Sequence, residues 1–322
     1  MSTRHKIFLY RNLNNLSEDK SSHGVYPVYG VVRPFKVAIS LLFTLFFCQG
    51  LFANHTGVSF LKIPPSTSLN LPPSGGGIEY FWMNPAGAMS GGEKLEAIAS
   101  YNLFFEDVKM SYAACSIPIQ AGNFALSVTY LDSGDIFRTT DFSHTGDGSS
   151  FDAKSTEIKF GYSGKVRNFR FGFSLSNIIE EIDEESATGG SLAAGLLADV
   201  GNFNLSFSLK NFGWMTEMDE KSSDLPITLN FAAARKFGKV TPFASLSKVK
   251  DEDMIAEIGG IGEIFSALEI YGGFRNGYEE AGNFAGASLG ARVRFGSLSF
   301  LIDNFFCGDL GNPLRISLKV NF

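Results

Sequence analysis

Residues Asn168 to Ser176, with the sequence Asn-Phe-Arg-Phe-Gly-Phe-Ser-Leu-Ser, decide the fold class because apolar and polar side chains alternate along them. In an extended strand, successive side chains point to opposite faces. One face therefore receives the phenylalanines and the leucine, while the other receives Arg170 and two serines. A helical period would scatter the same residues around a cylinder. The stretch is predicted to be a β-strand with one apolar and one polar face.

The same alternation recurs through the rest of the chain, clearly in residues 203–210 and 314–322. Turn signals divide the region into about fourteen such segments, an even number within the range of bacterial barrels. The predicted strands are 96–105, 108–118, 122–132, 155–165, 168–178, 190–199, 202–211, 225–236, 240–250, 254–262, 266–275, 283–294, 296–305 and 312–322.

The amino-acid composition indicates that the apolar faces meet hydrocarbon. The chain has 32 Phe and only 2 Trp among 322 residues. After residue 53 no apolar stretch reaches the roughly 18 residues that a membrane-spanning helix needs. Hydrocarbon leaves no water for unpaired backbone groups, so the alternative spanning structure is a closed barrel. We therefore predict an all-β fold, a transmembrane antiparallel β-barrel of about fourteen strands with an irregular N-terminal plug.

The connections between the predicted strands alternate between short and long, as the periplasmic turns and outer loops of such barrels do. The long connections are predicted at 133–154, 179–189, 212–224, 276–282 and 306–311. They are rich in Asp and Glu, and the net charge of the chain is −6. This charge argues against a nucleic-acid partner. We interpret the acidic residues as solvated loop positions rather than as cation sites.

The N-terminal region carries an export signal. Basic residues precede the apolar run 37–47, and Ala53 ends a short segment suited to cleavage, so residues 36–53 are predicted to be a signal peptide. The alternative is a short anchor helix. Residues 1–35 are interpreted as an N-terminal extension or a miscalled start. The predicted location is the cell outer membrane, reached by export through the inner membrane.

Residues 54–94 are predicted to be a plug inside the barrel formed by residues 95–322. This region is rich in Pro and Gly, which interrupt both helices and strands, yet it holds apolar residues that need burial. Trp82 and the turn Asn84-Pro85-Ala86-Gly87 are its most informative residues, because Pro fixes φ and Asn can cap its own turn. Trp82 and this turn are predicted to hold a plug that limits passage through the pore. The alternative is that the turn has no role in gating.

Alternation also assigns faces to the basic residues of the strands. Five of them are predicted to face the lumen and to pair with acids of the plug or the loops: Lys159, Arg170, Lys210, Arg292 and Arg294. The terminal Phe322 extends a lipid-facing row into the aromatic girdle and is interpreted as the assembly signal of the barrel.

The residues give no support for catalysis. Beyond the predicted cleavage site only His55 and His144 remain, and neither lies in an arrangement typical of a catalytic triad. No Cys/His cluster has the spacing of a zinc site. Cys115 and Cys307 are predicted at opposite ends of the barrel, so no disulfide is expected. We expect no enzymatic activity, no cofactor and no metal.

Several motifs together resemble a known family. Phe60-Leu-Lys-Ile63, Trp82-x-Asn84-Pro85-Ala86-Gly87 and Leu209-Lys-Asn-Phe-Gly213 are similar to motifs of the PorV/PorQ group of outer-membrane barrels, which is related to the FadL-like long-chain fatty-acid transporters. The resemblance implies an N-terminal plug that contains the Asn-Pro-Ala-Gly turn. The segment from Pro64 to Glu79 is shorter than the corresponding part of that group and lacks its Arg-Ala-x-Gly-Met-Gly-Gly-Ala run and its Asp-Asp-Ala stretch.

Three functions follow as hypotheses. The resemblance implies a component of a secretion or surface-attachment apparatus. The first alternative is a passive transporter of small hydrophobic molecules, and the second is a structural barrel. The expected partners are outer-membrane lipid and lipopolysaccharide, the barrel assembly machinery, and either secretion-system proteins or a hydrophobic small molecule.

Overall fold

The computed structural model describes residues 58–66, 76–89, 94–104, 107–138, 149–218, 223–276, 286–306 and 312–322. The predictions for residues 1–35, for the signal peptide 36–53 and for Cys307, His55 and His144 lie outside this part of the chain. Within it are fourteen strands, here β1 to β14: Glu96–Leu103, Lys109–Ile119, Gly122–Phe137, Ser150–Val166, Phe169–Ile182, Glu185–Val200, Phe203–Met215, Thr228–Arg235, Val240–Val249, Met254–Phe265, Leu268–Arg275, Gly286–Phe295, Leu298–Phe306 and Leu314–Asn321.

The strands form one closed antiparallel barrel in which each pairs with its neighbours in the chain. Closure is made by β1 and β14, which pair from Glu96 opposite Asn321 to Leu103 opposite Leu314. A closed sheet leaves no edge, so each strand finds hydrogen-bond partners on both sides. The predicted fourteen-strand transmembrane barrel is confirmed. No helix of the described residues is long and apolar enough to cross a membrane.

The two faces of the barrel differ as the alternation predicts. On β5, Phe173 is 59% exposed and faces outward, whereas Ser174 is 5% exposed and faces the lumen. Other strands continue both rows: Phe124, Phe160, Leu196 and Phe300 are exposed, and Ser127, Ser206 and Ser317 are buried. An apolar exterior around a polar interior suits hydrocarbon outside and polar contacts inside.

Short and long connections lie at opposite ends of the barrel, which we name the short-turn end and the long-loop end. At the short-turn end five of the six turns have two residues, and the turn at 236–239 has four. The barrel also begins and ends here, because the first residue of β1, Glu96, and the last residue of β14, Asn321, lie at this end. In bacterial barrels the short turns lie on the periplasmic side.

One predicted long loop is wrong. Residues 179–189 do not form a loop, because β5 and β6 continue as a ladder until Ile182 pairs with Glu185. Asp183 has a φ of 57°, a left-handed conformation that Asp tolerates better than most residues, and this permits a two-residue turn. The predicted loop 133–154 is also shortened to 138–149, since β3 and β4 both extend into it.

A bulge on β7 reverses the side-chain parity partway along the strand. The register shifts between Leu192 and Ala194, and Asn211 has a φ of 59°. Lys210 and Asn211 are both buried as a result, whereas Phe212 and Trp214 face outward. Strand 202–211 was predicted to end here, but it continues to Met215 because an extra residue changes faces without breaking the pairing.

The assigned faces predict how charge is tolerated at different depths. Phe173→Arg places a guanidinium at a lipid-facing position in the middle of β5 and should cost roughly 2–4 kcal/mol of folding free energy. Phe295→Arg, at the end of β12, should cost less than about 1 kcal/mol, because Arg reaches the interface there. Urea titration of both variants in liposomes measures the difference, and equal losses would contradict the assignment.

Candidate functional site

Two segments of the N-terminal region occupy the lumen. The outer plug segment, residues 58–66, packs at the long-loop end, and the inner plug segment, residues 76–89, lies deeper. The two are joined by the Ser66 hydroxyl, which donates to the Glu79 carbonyl at 3.1 Å. The inner segment consists of two short 3₁₀ turns, Ile78–Tyr80 and Pro85–Ala88, whose residues are all buried.

Asn84 is the principal polar anchor of the inner plug segment. Its side-chain oxygen accepts a hydrogen bond from the Ala86 amide at 2.9 Å, which caps the turn that begins at Pro85. Its Nδ2 donates to Ser206 Oγ at 2.9 Å and to the Phe207 carbonyl at 3.1 Å, both on β7. The fully buried amide therefore fixes the turn and attaches it to the wall.

Glycines on three adjacent strands make room for the turn. Gly172 on β5 and Gly195 on β6 are register partners. A Cβ at Gly172 would overlap the backbone of Pro85 and Ala86, and one at Gly195 would overlap the Asn84 side chain. On β4, a Cβ at Gly161 would meet the ring of Phe81. This glycine cradle was not predicted, although Gly172 does occupy an inward position of the alternating stretch.

A buried ion-pair cluster attaches the inner plug segment to the opposite wall. Glu79 accepts a hydrogen bond from Lys319 Nζ at 2.6 Å, and its other oxygen lies 3.3 Å from Arg292. Lys319 also forms an ion pair with Glu96 at 3.1 Å, and Glu96 accepts a hydrogen bond from the Ile78 amide at 2.9 Å. Burial raises the pKa of Glu79, but the charges of Lys319 and Arg292 outweigh it and hold that pKa below its ordinary value of 4.5.

The basic residues predicted to face the lumen make different contacts. Arg170 donates to the Met89 carbonyl at 3.3 Å, and Lys210 lies 3.4 Å from the centroid of the Trp82 ring. Together with Arg292, these two touch the inner plug segment. Lys159 pairs with Glu157 of its own strand at 3.1 Å, and Arg294 pairs with Glu269 at 2.7 Å.

Sequence reasoning did not identify Glu79, Glu96 and Lys319 as a cluster. The alternation along the last strand predicts that Lys319 faces inward. The sequence does not predict which residues of β1 lie opposite it. The terminal Phe322 is exposed beside β1, and its amide donates to the Leu95 carbonyl at 2.9 Å.

The outer plug segment packs its apolar side chains against the barrel at the long-loop end. Val58, Phe60 and Leu61 form a cluster that we call the apolar mouth; its other members are Met110, Ile178, Ala187 and Met215 of the strands and Leu225 of the connection between β7 and β8. Lys62 secures the segment through a 2.5 Å contact with Glu252, in the connection between β9 and β10.

The free space between the plug segments and the wall includes a small cavity. A cavity of about 40 Å³ is bordered by Leu61, Trp82, Lys210 and Glu257, which leaves room for a few water molecules. A wider apolar groove of about 640 Å³ lies on the membrane-facing side, between Phe124, Phe160 and Phe173. No cluster of potential metal ligands occurs in the part of the chain that is described. The described plug segments therefore lie in the path through the lumen.

Comparisons with known proteins give the fold. No protein-family model and no curated protein matches the chain. The solved structure of the toluene transporter TodX of Pseudomonas putida is similar, with a TM-score of 0.59 at 10% identity over 84% of this chain and 98% of that one. The toluene transporter TbuX of Ralstonia pickettii has a TM-score of 0.55 at 8% identity over 80% and 97%.

At these identities the likeness concerns the fold alone. For the FadL-like part of the resemblance found in the sequence, it supports the barrel fold and no more. The PorV/PorQ part stays a prediction.

The ion-pair cluster predicts pH-dependent docking of the plug. Because the pKa of Glu79 is lowered in the folded state, its contribution is fully present above pH 4.5 and is lost as the pH falls through the lowered value. Glu79→Gln removes this carboxylate and leaves Lys319 with Glu96 and Arg292 with Glu269 as partners. The cost should therefore stay below the roughly 3–5 kcal/mol of an uncompensated buried charge. In planar bilayers we expect this variant to conduct more than the wild type at pH 7, and the wild type to open only below pH 4.5.

Glu263→Gln is the matched control, since Glu263 is an acid at the short-turn end with no ion pair within 4.0 Å among the described residues. Its conductance should equal that of the wild type. Equal conductance of Glu79→Gln and the wild type at pH 7 would show that the cluster does not hold the plug.

Proposed function

We propose that this protein is an outer-membrane channel through which small hydrophobic molecules pass by diffusion, with the plug as its gate. The observation that carries the proposal is the apolar mouth. Deeper in the lumen, serines, asparagines and paired charges lie beside apolar contacts of the inner plug segment with wall residues such as Tyr112 and Leu301. At the long-loop end, Phe60, Leu61 and Met215 belong to a cluster of buried apolar side chains.

The composition of the apolar mouth suits varied apolar ligands. Met110 and Met215 belong to it, and Met218 is partly buried against it. Methionine is unbranched and polarizable, so it adapts to ligands of different shapes. A hydrophobic molecule that replaces Phe60 and Leu61 against these residues compensates for the apolar contacts that the outer plug segment loses. Ligand entry and displacement of the plug are thereby coupled.

The comparison structures support the same substrate class. TodX and TbuX are described as toluene transporters, and CymD, with a TM-score of 0.52 and 9% identity, as a monoaromatic hydrocarbon channel. Small apolar molecules partition readily from water into an apolar site, so a barrel that offers such a site at its outer end has a clear physical role.

The proposed location is the outer membrane, with the short-turn end in the periplasm and the long-loop end outside. The apolar exterior and the orientation rule for short turns support it. Export would use residues 36–53 as a signal peptide.

A role in secretion or surface attachment, implied by the PorV/PorQ resemblance, is the second candidate. One observation favours it. Strands β3 to β7 have 13 to 17 residues, more than the roughly 9–11 that cross a bilayer. They form a wall at the long-loop end that exposes Glu181, Glu184 and Glu185. Such a wall is available for contacts with another protein.

Uptake of radiolabelled toluene by cells that express the protein tests the proposal. Met215→Glu places a charge in the apolar mouth and should reduce the protein-dependent uptake several-fold, because a carboxylate desolvates poorly. Ser186→Glu adds the same charge at an exposed position next to Ala187 and should leave uptake unchanged.

The outcomes separate the three functions. Uptake equal to that of cells without the protein would contradict transport. If protein partners then co-purify from outer membranes, the secretion role gains support, and if none do, a structural barrel remains.

A further inference from the structure

A ring of phenylalanines surrounds the short-turn end of the barrel. Its members lie at strand ends or in the turn between β8 and β9 and are 43–70% exposed: Phe169, Phe203, Phe237, Phe265, Phe295 and Phe322. Membrane barrels carry girdles of aromatic residues at both membrane interfaces, at the level of the lipid headgroups. The ring therefore marks the membrane interface at this end.

Arg235 lies within this ring and faces outward. It is the last residue of β8 and is the register partner of Phe203 on β7. The carbon of its guanidinium lies 4.9 Å from the centroid of the Phe203 ring and 4.5 Å from that of Phe237. The two rings hold the guanidinium by cation–π contact, which leaves its N–H donors to bind other groups.

In the part of the chain that the structure describes, Arg235 has no carboxylate within 4.0 Å, and its Nε is buried without a hydrogen-bond partner, so contact with an outside group falls to the two terminal nitrogens of the guanidinium. This differs from the inward basic residues. Arg170 and Arg294 each pair with an acid of the wall. A guanidinium that is positioned by two rings but lacks an anion is suited to receive one from outside the protein.

The adjoining turn adds positive charge at the same level. Lys236 and Lys239 lie in the turn 236–239 and are exposed. Lys239 Nζ lies 3.4 Å from the Ile264 carbonyl, also at the short-turn end. Glu263, whose amide donates to the Lys239 carbonyl, has the inward parity of Ile255 and Glu257 on β10, away from the lipid. The outer surface here is basic.

We propose that Arg235, framed by Phe203 and Phe237, binds the phosphate of an anionic phospholipid in the leaflet that contacts the short-turn end, with Lys236 and Lys239 adding attraction. A planar guanidinium donates two parallel hydrogen bonds to phosphate oxygens. The rings contact the upper acyl chains of the same lipid. Basic clusters beside membrane-spanning elements recognise anionic headgroups in this way. The inference rests on the proposed outer-membrane location but not on transport.

Native mass spectrometry of the full-length protein tests the site. The purified protein is mixed with equal amounts of phosphatidylglycerol and phosphatidylcholine of identical acyl chains, and the retained lipids are counted. The wild type should retain phosphatidylglycerol preferentially, and Arg235→Gln should lower that preference about fivefold. Arg235→Lys keeps the charge but loses the planar donors, so an intermediate preference is expected.

Arg167→Gln removes a charge from the exposed turn between β4 and β5, away from the ring pair, and should leave the preference unchanged. Heat-modifiable migration shows that each variant is folded, and the Arg235→Lys measurement stands if Arg235→Gln fails to fold. An unchanged preference in Arg235→Gln would show that Arg235 binds no lipid phosphate. An equal loss in Arg167→Gln would show that a diffuse basic rim, and not this site, attracts the lipid. Toluene uptake by Arg235→Gln should stay normal, which separates this proposal from the channel function.

Discussion

In hydrocarbon every backbone amide and carbonyl must find its partner within the protein, and the pairing of β1 with β14 meets that requirement by closing the sheet. Closure has a geometric consequence. The diameter of a barrel grows with its number of strands, and fourteen strands enclose more space than inward side chains fill. The two plug segments occupy this space. The plug segments therefore dock in the lumen because a membrane barrel of this size encloses space that must be filled, and not only because of any function.

The two ends of the inner plug segment are held by different kinds of contact. Near Asn84 the wall offers glycines and backbone carbonyls, so docking depends on close approach and hydrogen bonds. Near Glu79 it depends on buried charges. Loss of one member of a buried ion pair leaves the other uncompensated, whereas loss of one packing contact costs less. The end of the inner plug segment at Glu79 is thus the better candidate for controlled release of the plug. The glycine cradle is the better candidate for returning the plug to the same position.

The sequence predicted the strands and their faces well, because a period of two persists wherever one face meets lipid. It failed where that constraint ends. Beyond the membrane both faces of β5 and β6 meet water, so the acidic residues around Asp183 resembled a loop. At Asn211 one extra residue reverses the faces, which no periodic pattern encodes. Glu79 and Lys319 are 240 residues apart, and only the register of the closed barrel brings them together.

In the proposed function the plug obstructs a pore that the barrel alone would leave open. This is tested by the conductance of a variant without residues 57–92, inserted in planar bilayers after heat-modifiable migration has shown that the barrel assembles. We expect a conductance several-fold above that of the intact protein, stable at pH 7 and insensitive to acidification. An assembled deletion variant with the low conductance of the intact protein would contradict it.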